Sequence, residues 1–115
     1  GDHSSPSRFV RAVAFANTSL PSEDVDDAIF KAFHILNVFD IPTGSIREGE
    51  GNNIHPDYTL WTSAVDTANA RYFYKTYISQ AVESIDVKKA VSSISQPTTL
   101  MMESGFKVRD RTGEF

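Results

Sequence analysis

Residues 58–77 read YTLWTSAVDTANARYFYKTY, and this stretch decides the fold. Residues 58–66 are rich in aromatic and β-favouring side chains, with the period of two that suits a strand. Thr67 to Asn69 supplies a turn, and residues 71–77 form a second run of the same kind. Two such runs about a short polar break predict an antiparallel hairpin. On the second run Tyr72 and Tyr74 share one face, and Phe73 and Tyr77 share the other. A sheet with bulky aromatic groups on both faces expects cover on both. Residues 82–87 predict a third strand, antiparallel to the second.

Upstream of the hairpin, residues 45–57 are polar and carry Gly49, Gly51, Asn52, Asn53 and Pro56, the composition of a loop or an exposed hairpin tip. Before them, Val25, Ile29, Phe33 and Leu36 recur at helical spacing, and Ile35 and Phe39 widen that face. Ser22 is the N-cap candidate for this helix. Glu23, Asp24, Asp26 and Asp27 crowd its first turns, where anions suit the helix dipole. The helix is expected to end near Asp40, with Pro42 and Gly44 stopping it. A shorter helix is expected to run to about Asn17, with Ser5 as N-cap, Pro6 at the first helical position, and Phe9, Val10, Val13 and Ala14 as its apolar stripe. Beyond Lys88 the pattern fades. A helical turn over 90–94, an extended segment over 98–102 and an edge strand over 106–108 are expected in a largely irregular tail. The order is two helices followed by an antiparallel meander of about three strands, an α+β arrangement in two layers. That is enough helix to cover one sheet face, which hints that something belongs on the other.

With 115 residues, 40% apolar and 11% aromatic, the chain has the size and composition of one globular domain. Eleven basic against fifteen acidic residues give a net charge of −4, which argues against a nucleic-acid partner. No apolar run approaches the roughly 18 residues needed to cross a membrane, so no membrane partner is expected, and no signal peptide is read. There is no cysteine, which excludes disulfides and thiolate metal sites.

Few residues carry chemistry on their own. His3, His34 and His55 match no compact ligand spacing, so neither metal nor cofactor is expected. His34, between Phe33 and Ile35, reads as a packed, hydrogen-bonded helical histidine. Asp24, Asp26 and Asp27 are better explained by the helix dipole than by a cation. Gly49-Glu50-Gly51 neither follows a strand nor opens a helix, so it is no phosphate loop. Arg8 falls in the first turn of a helix, where a cation opposes the dipole. It is either a surface or salt-bridged arginine, or a guanidinium held over a reaction centre to orient an anion or a carbonyl. Arg11, one turn on, reads as an ordinary surface or ion-pair arginine.

Six segments in order resemble one family. SSPSRFVRAVAF resembles its SRFVR helix, which follows a Gly-Asp loop like Gly1-Asp2. KAFHIL resembles its FHIL helix, and Ile41-Pro42-Thr43-Gly44 its I-P-K-G exit. Tyr58-Thr59-Leu60-Trp61-Thr62 resembles its Y-T-x-W-T strand, the run from Tyr72 to Tyr77 its Y-Y-x-T-Y strand, and Ile85-Asp86 its closing V-D. The family is that of the linear-amide C–N hydrolases, which includes choloylglycine (bile salt) hydrolases and penicillin V acylases. The resemblance covers about residues 1–87. It implies that these residues are the C-terminal portion of an αββα N-terminal-nucleophile hydrolase domain, with 88–115 a tail of uncertain structure, and that a second sheet comes from residues before Gly1.

The chemistry implied is acyl transfer from a small amide substrate to an N-terminal cysteine, whose α-amine is the base. In the family pattern that cysteine, an aspartate, another arginine and the oxyanion asparagines lie upstream. The partner implied is therefore the N-terminal half of the same enzyme, and this chain alone is expected to be inactive. Only Arg8, the arginine of SRFVR, maps as catalytic, orienting the thiolate and stabilising charge near it. Family members commonly form homo-oligomers. A bile-salt conjugate, a penicillin side-chain amide and an acyl-homoserine lactone stay open as substrates. Thr76-Tyr77-Ile78-Ser79 departs from a common T-Y-D-N, which implies a different turn and a divergent branch. The Trp61 strand and the 45–57 loop look like a Gram-negative branch, for which a periplasmic or exported location is expected. The competing reading is a small non-enzymatic α+β binding module that uses its aromatic strand face.

Overall fold

The computed structural model describes residues 2–102 and 105–115. Helix α1 (Ser5–Thr18) begins one residue earlier than expected, with Ser4 as N-cap and Pro6 inside the first turn. Asp2, rather than a cap side chain, ties this start down: its carboxylate accepts hydrogen bonds from the Ser4 N–H at 2.9 Å and from the Ser4 hydroxyl. Those bonds, the Ser4 hydroxyl first, hold the Asp2 carboxyl at about 2. Helix α2 (Val25–Asn37) is capped by Asp24 and not by Ser22; the Asp24 carboxylate accepts from the Asp27 N–H at 2.8 Å. The helix ends at Asn37, before Asp40, and the chain turns through Val38 and Phe39.

The polar stretch that follows is an antiparallel ribbon of β1 (Ile46–Glu48) and β2 (His55–Asp57). Its tip needs Gly49, which stands at φ 114° with the Asn53 carbonyl 1.9 Å from where a Cβ would sit. The meander comes next as β3 (Trp61–Asp66), β4 (Arg71–Thr76) and β5 (Glu83–Asp86), in spatial order β3-β4-β5 and antiparallel throughout. Helix α3 (Val87–Ser93) is longer than the single turn expected, is capped by Asp86 and packs on β5. Among the described residues no strand forms over 98–102 or 106–108; a short 3₁₀ turn (Thr112–Glu114) closes the tail.

Cross-strand register puts Asp66, Ala64 and Thr62 on one sheet face with Arg71, Phe73 and Lys75. Helix α2 covers that face. Phe33 (6% exposed) and Ile29 line one groove with Phe73, Lys75 Nζ donates to the Asn37 side chain at 2.6 Å, and Arg71 Nη2 pairs with Asp26 at 2.9 Å. Asp26 therefore makes a tertiary ion pair at the surface as well as suiting the helix dipole. The opposite face carries Trp61, Val65, Tyr72, Tyr74 and Ile85. There Tyr74 is buried at 5%, its ring stacked on Tyr72 and its hydroxyl donating to Glu83 at 2.6 Å, while Trp61 and Val65 stay 53% and 56% exposed. One face is covered and the other is largely bare, as the two-faced aromatic pattern anticipated.

Candidate active site

Arg8 lies on the face of α1 that meets the exit of α2. Its Nη1 donates to the Phe39 carbonyl at 3.2 Å, and its guanidinium sits 5.5 Å from the centre of the Phe39 ring. The first-turn cation is thus held by tertiary contacts rather than by its own helix. Among the described residues it pairs with no carboxylate. A cleft of about 210 Å³ opens beside it, lined by Leu36, Phe39, Thr59, Trp61, Thr62 and Ser63. Thr62 comes from the covered sheet face, and Trp61 and Ser63 from the bare one. The cleft therefore runs along the edge of β3 that pairs with no strand among the described residues.

Arg11 is not the ordinary surface or ion-pair residue expected. Its Nη1 donates to the Asp2 carbonyl at 2.9 Å, its guanidinium lies 5.6 Å from the centre of the same Phe39 ring, and its Nε is enclosed without a hydrogen-bond partner among the described residues. Two guanidinium groups thus meet one aromatic ring, a favourable arrangement for the ring's negative face.

Phe39 belongs to a strap, residues 39–43, that is sewn to the sheet. Ile41 N–H donates to Thr59 Oγ1 at 2.9 Å, and Thr59 N–H donates back to the Ile41 carbonyl at 3.1 Å. Thr43 N–H donates to the Tyr77 hydroxyl at 3.0 Å, and hydrogen bonding to Thr43 lowers the Tyr77 phenol from its ordinary value. Tyr77 in turn packs edge-on against Tyr58, with ring centres 4.9 Å apart. The segments 8–11, 39–43, 58–62 and 76–77 therefore converge on one end of the sheet. Residue by residue, Phe39 read only as part of the apolar face of α2, which ends before it, and Thr59 only as part of a strand; the one further signal was that the Ile41–Gly44 and Tyr58–Thr62 segments both resemble the same family.

The other candidates stay apart. His3 sits beside the start of α1, His34 is exposed on α2 with its ring edge-on to Phe30 at 4.5 Å, and His55 is exposed in β2. His34 is a surface residue and not the packed one expected, because its position faces away from the sheet. Asp27 pairs with Lys31 at 2.8 Å, one helical turn on. The turn after Tyr77 buries Ser79, which exchanges backbone and side-chain hydrogen bonds with Thr76. Gly1, of the Gly1-Asp2 pair, lies outside the described residues.

Comparison with known proteins bears on the family and the fold. The family model for linear amide C–N hydrolases, choloylglycine hydrolase family, matches residues 1–99. A bile salt hydrolase/transferase of Clostridium perfringens is 34% identical over 90 residues, which is 77% of this chain and 26% of that protein. One from Bifidobacterium longum is 35% identical over 85 residues, 73% of this chain and 26% of that protein. The crystal structure of a cysteine-to-alanine mutant of conjugated bile acid hydrolase from Clostridium perfringens superposes with a TM-score of 0.77 at 25% identity, covering 97% of this chain and 33% of that one. The chain thus spans about a quarter of the length of the curated relatives it matches. Its α+β architecture is a part of the N-terminal-nucleophile hydrolase fold. On the family match over residues 1–99 and the agreement of sequence and fold, the chain belongs to the choloylglycine hydrolase family of linear amide C–N hydrolases.

Proposed function

We propose that this chain is the C-terminal segment of a linear-amide hydrolase that cleaves its substrate by cysteine acyl transfer, with Arg8 holding and orienting the thiolate. The observation that carries this reading is Arg8 itself: a guanidinium fixed by the Phe39 carbonyl, unpaired with any carboxylate among the described residues, beside a cleft at the free edge of β3. A fixed cation of this kind stabilises a thiolate and the negative charge that develops during acyl transfer. The nucleophile comes from residues upstream, since none of the 115 residues is cysteine, and by itself the chain is inactive. The bare sheet face favours this reading over a small self-contained binding module, for which Trp61 and Val65 would be an unpaired cost.

Conjugated bile salts are the first substrates to test, after the relatives, followed by penicillin V. The decisive experiment supplies the N-terminal half and compares the complete protein with its Arg8→Ala variant. Amide hydrolysis falls by on the order of a hundredfold or more, the scale of losing one preorganised donor, with the folded content unchanged by circular dichroism. A wild-type rate in Arg8→Ala removes Arg8 from the reaction. Hydrolysis by the 115-residue chain alone would overturn the reading outright.

A further inference from the structure

We infer that Phe39 is the positioning residue for Arg8, an inference that rests on the catalytic reading of Arg8 and adds to it the element that aims the guanidinium. Three observations carry it. The Phe39 carbonyl takes the one hydrogen bond that the Arg8 side chain makes among the described residues, at 3.2 Å. The Phe39 ring supports the Arg8 guanidinium at 5.5 Å and that of Arg11 at 5.6 Å, so the same side chain also seats the helix on which Arg8 stands. And Phe39 cannot drift, because the strap that bears it is locked to the sheet two residues later by the reciprocal Ile41–Thr59 hydrogen bonds.

A guanidinium has five N–H donors in a fixed fork. With one committed to a carbonyl and one face lying on a ring, its remaining donors point in a set direction. Helices α1 and α2 otherwise touch sparingly. Removing the ring frees both the helix and the fork. Misplacement of a catalytic group by about an ångström is enough to cost on the order of a hundredfold in rate.

The test uses the complete protein. Phe39→Leu keeps an apolar side chain but removes the aromatic face. It lowers kcat by on the order of ten- to a hundredfold with KM little changed, because the lost alignment acts on the reacting centre and not on substrate binding. Phe39→Tyr, which keeps the ring, restores most of the rate. Thr59→Val, which deletes the acceptor for Ile41 N–H without touching Phe39, gives a smaller loss in the same direction. The deciding measurement is the Phe39→Leu/Arg8→Ala double variant. If Phe39 acts through Arg8, the double variant is no slower than Arg8→Ala alone. A further loss in the double variant, or a wild-type kcat in Phe39→Leu, overturns the inference. A wild-type rate in Arg8→Ala would instead sink the catalytic reading of Arg8, so the two failures are told apart.

Discussion

Asp66 is a buried carboxylate at the end of β3, and everything around it is a donor. Its oxygens accept from Asn69 N–H at 3.1 Å, Asn69 Nδ2 at 2.8 Å and Arg71 Nε at 3.2 Å. Asn69 first, and Arg71 after it, hold the Asp66 carboxyl below the ordinary carboxylate value against the cost of burial. A group whose folded-state value is depressed stabilises the fold in full above its unfolded-state value of about 4, and loses that contribution as pH falls through the lower folded value. Asp66→Asn is therefore expected to lower the melting temperature by several degrees at pH 7. It also flattens the acid side of the stability profile, where wild type and variant converge; a parallel offset at all pH values would contradict this. Arg71 extends the cluster to Asp26, 45 residues away in sequence. None of this was legible beforehand. Asp66 and Asn69 read only as the edges of a turn, and Asp26 as one anion among several at a helix start, because a contact between distant segments leaves no local period. Arg8 stood out only in part: a cation in the first turn of a helix opposes the dipole, which left a surface or salt-bridged arginine and a held guanidinium both open, and its bond to the Phe39 carbonyl left no mark in the sequence.

Among the elements, those with long periods read most clearly. Helix α2 repeats its apolar residues over three turns, and the β3–β4 hairpin alternates over twelve paired residues with its register preserved. Their limits were less clear. Ser22 and Asp24 are both capping residues, and only the observed bond from Asp27 N–H decides for Asp24. Asp24→Ala is expected to cost about 1 kcal/mol in urea unfolding, whereas Ser22→Ala leaves stability unchanged; the reverse ranking would return the cap to Ser22. The β1–β2 ribbon read only as a loop or an exposed hairpin tip, without strand limits, because each strand is three residues long and His55–Asp57 is exposed along its length. A strand without a buried face has no hydrophobic alternation to read. The tail failed in the other direction. Residues 106–108 include strand-favouring side chains but join no sheet among the described residues, and propensity alone does not make a strand.

At the scale of the whole molecule, the radius of gyration is 17.7 Å, where about 13 Å is usual for a compact domain of this length. Among the described residues, Phe33 and Tyr74 are the only hydrophobic side chains that are buried. The spread follows from geometry: among the described residues, helix covers one sheet face, the other lies largely open, and one edge of β3 pairs with no strand. Such a surface has a built-in optical reporter. Trp61 is the chain's sole tryptophan, and it stands where the open face, the free edge and the Arg8 cleft meet. Half exposed, an indole emits at long wavelength; covered by apolar neighbours, it shifts to the blue. Adding the upstream polypeptide is expected to shift the emission and remove quenching by iodide, in one-to-one proportion with recovered amidase activity. An unshifted spectrum at full activity would mean that the partner leaves this corner uncovered. The indole emission of these 115 residues thus originates at Trp61, on the wall of the cleft that Arg8 also lines.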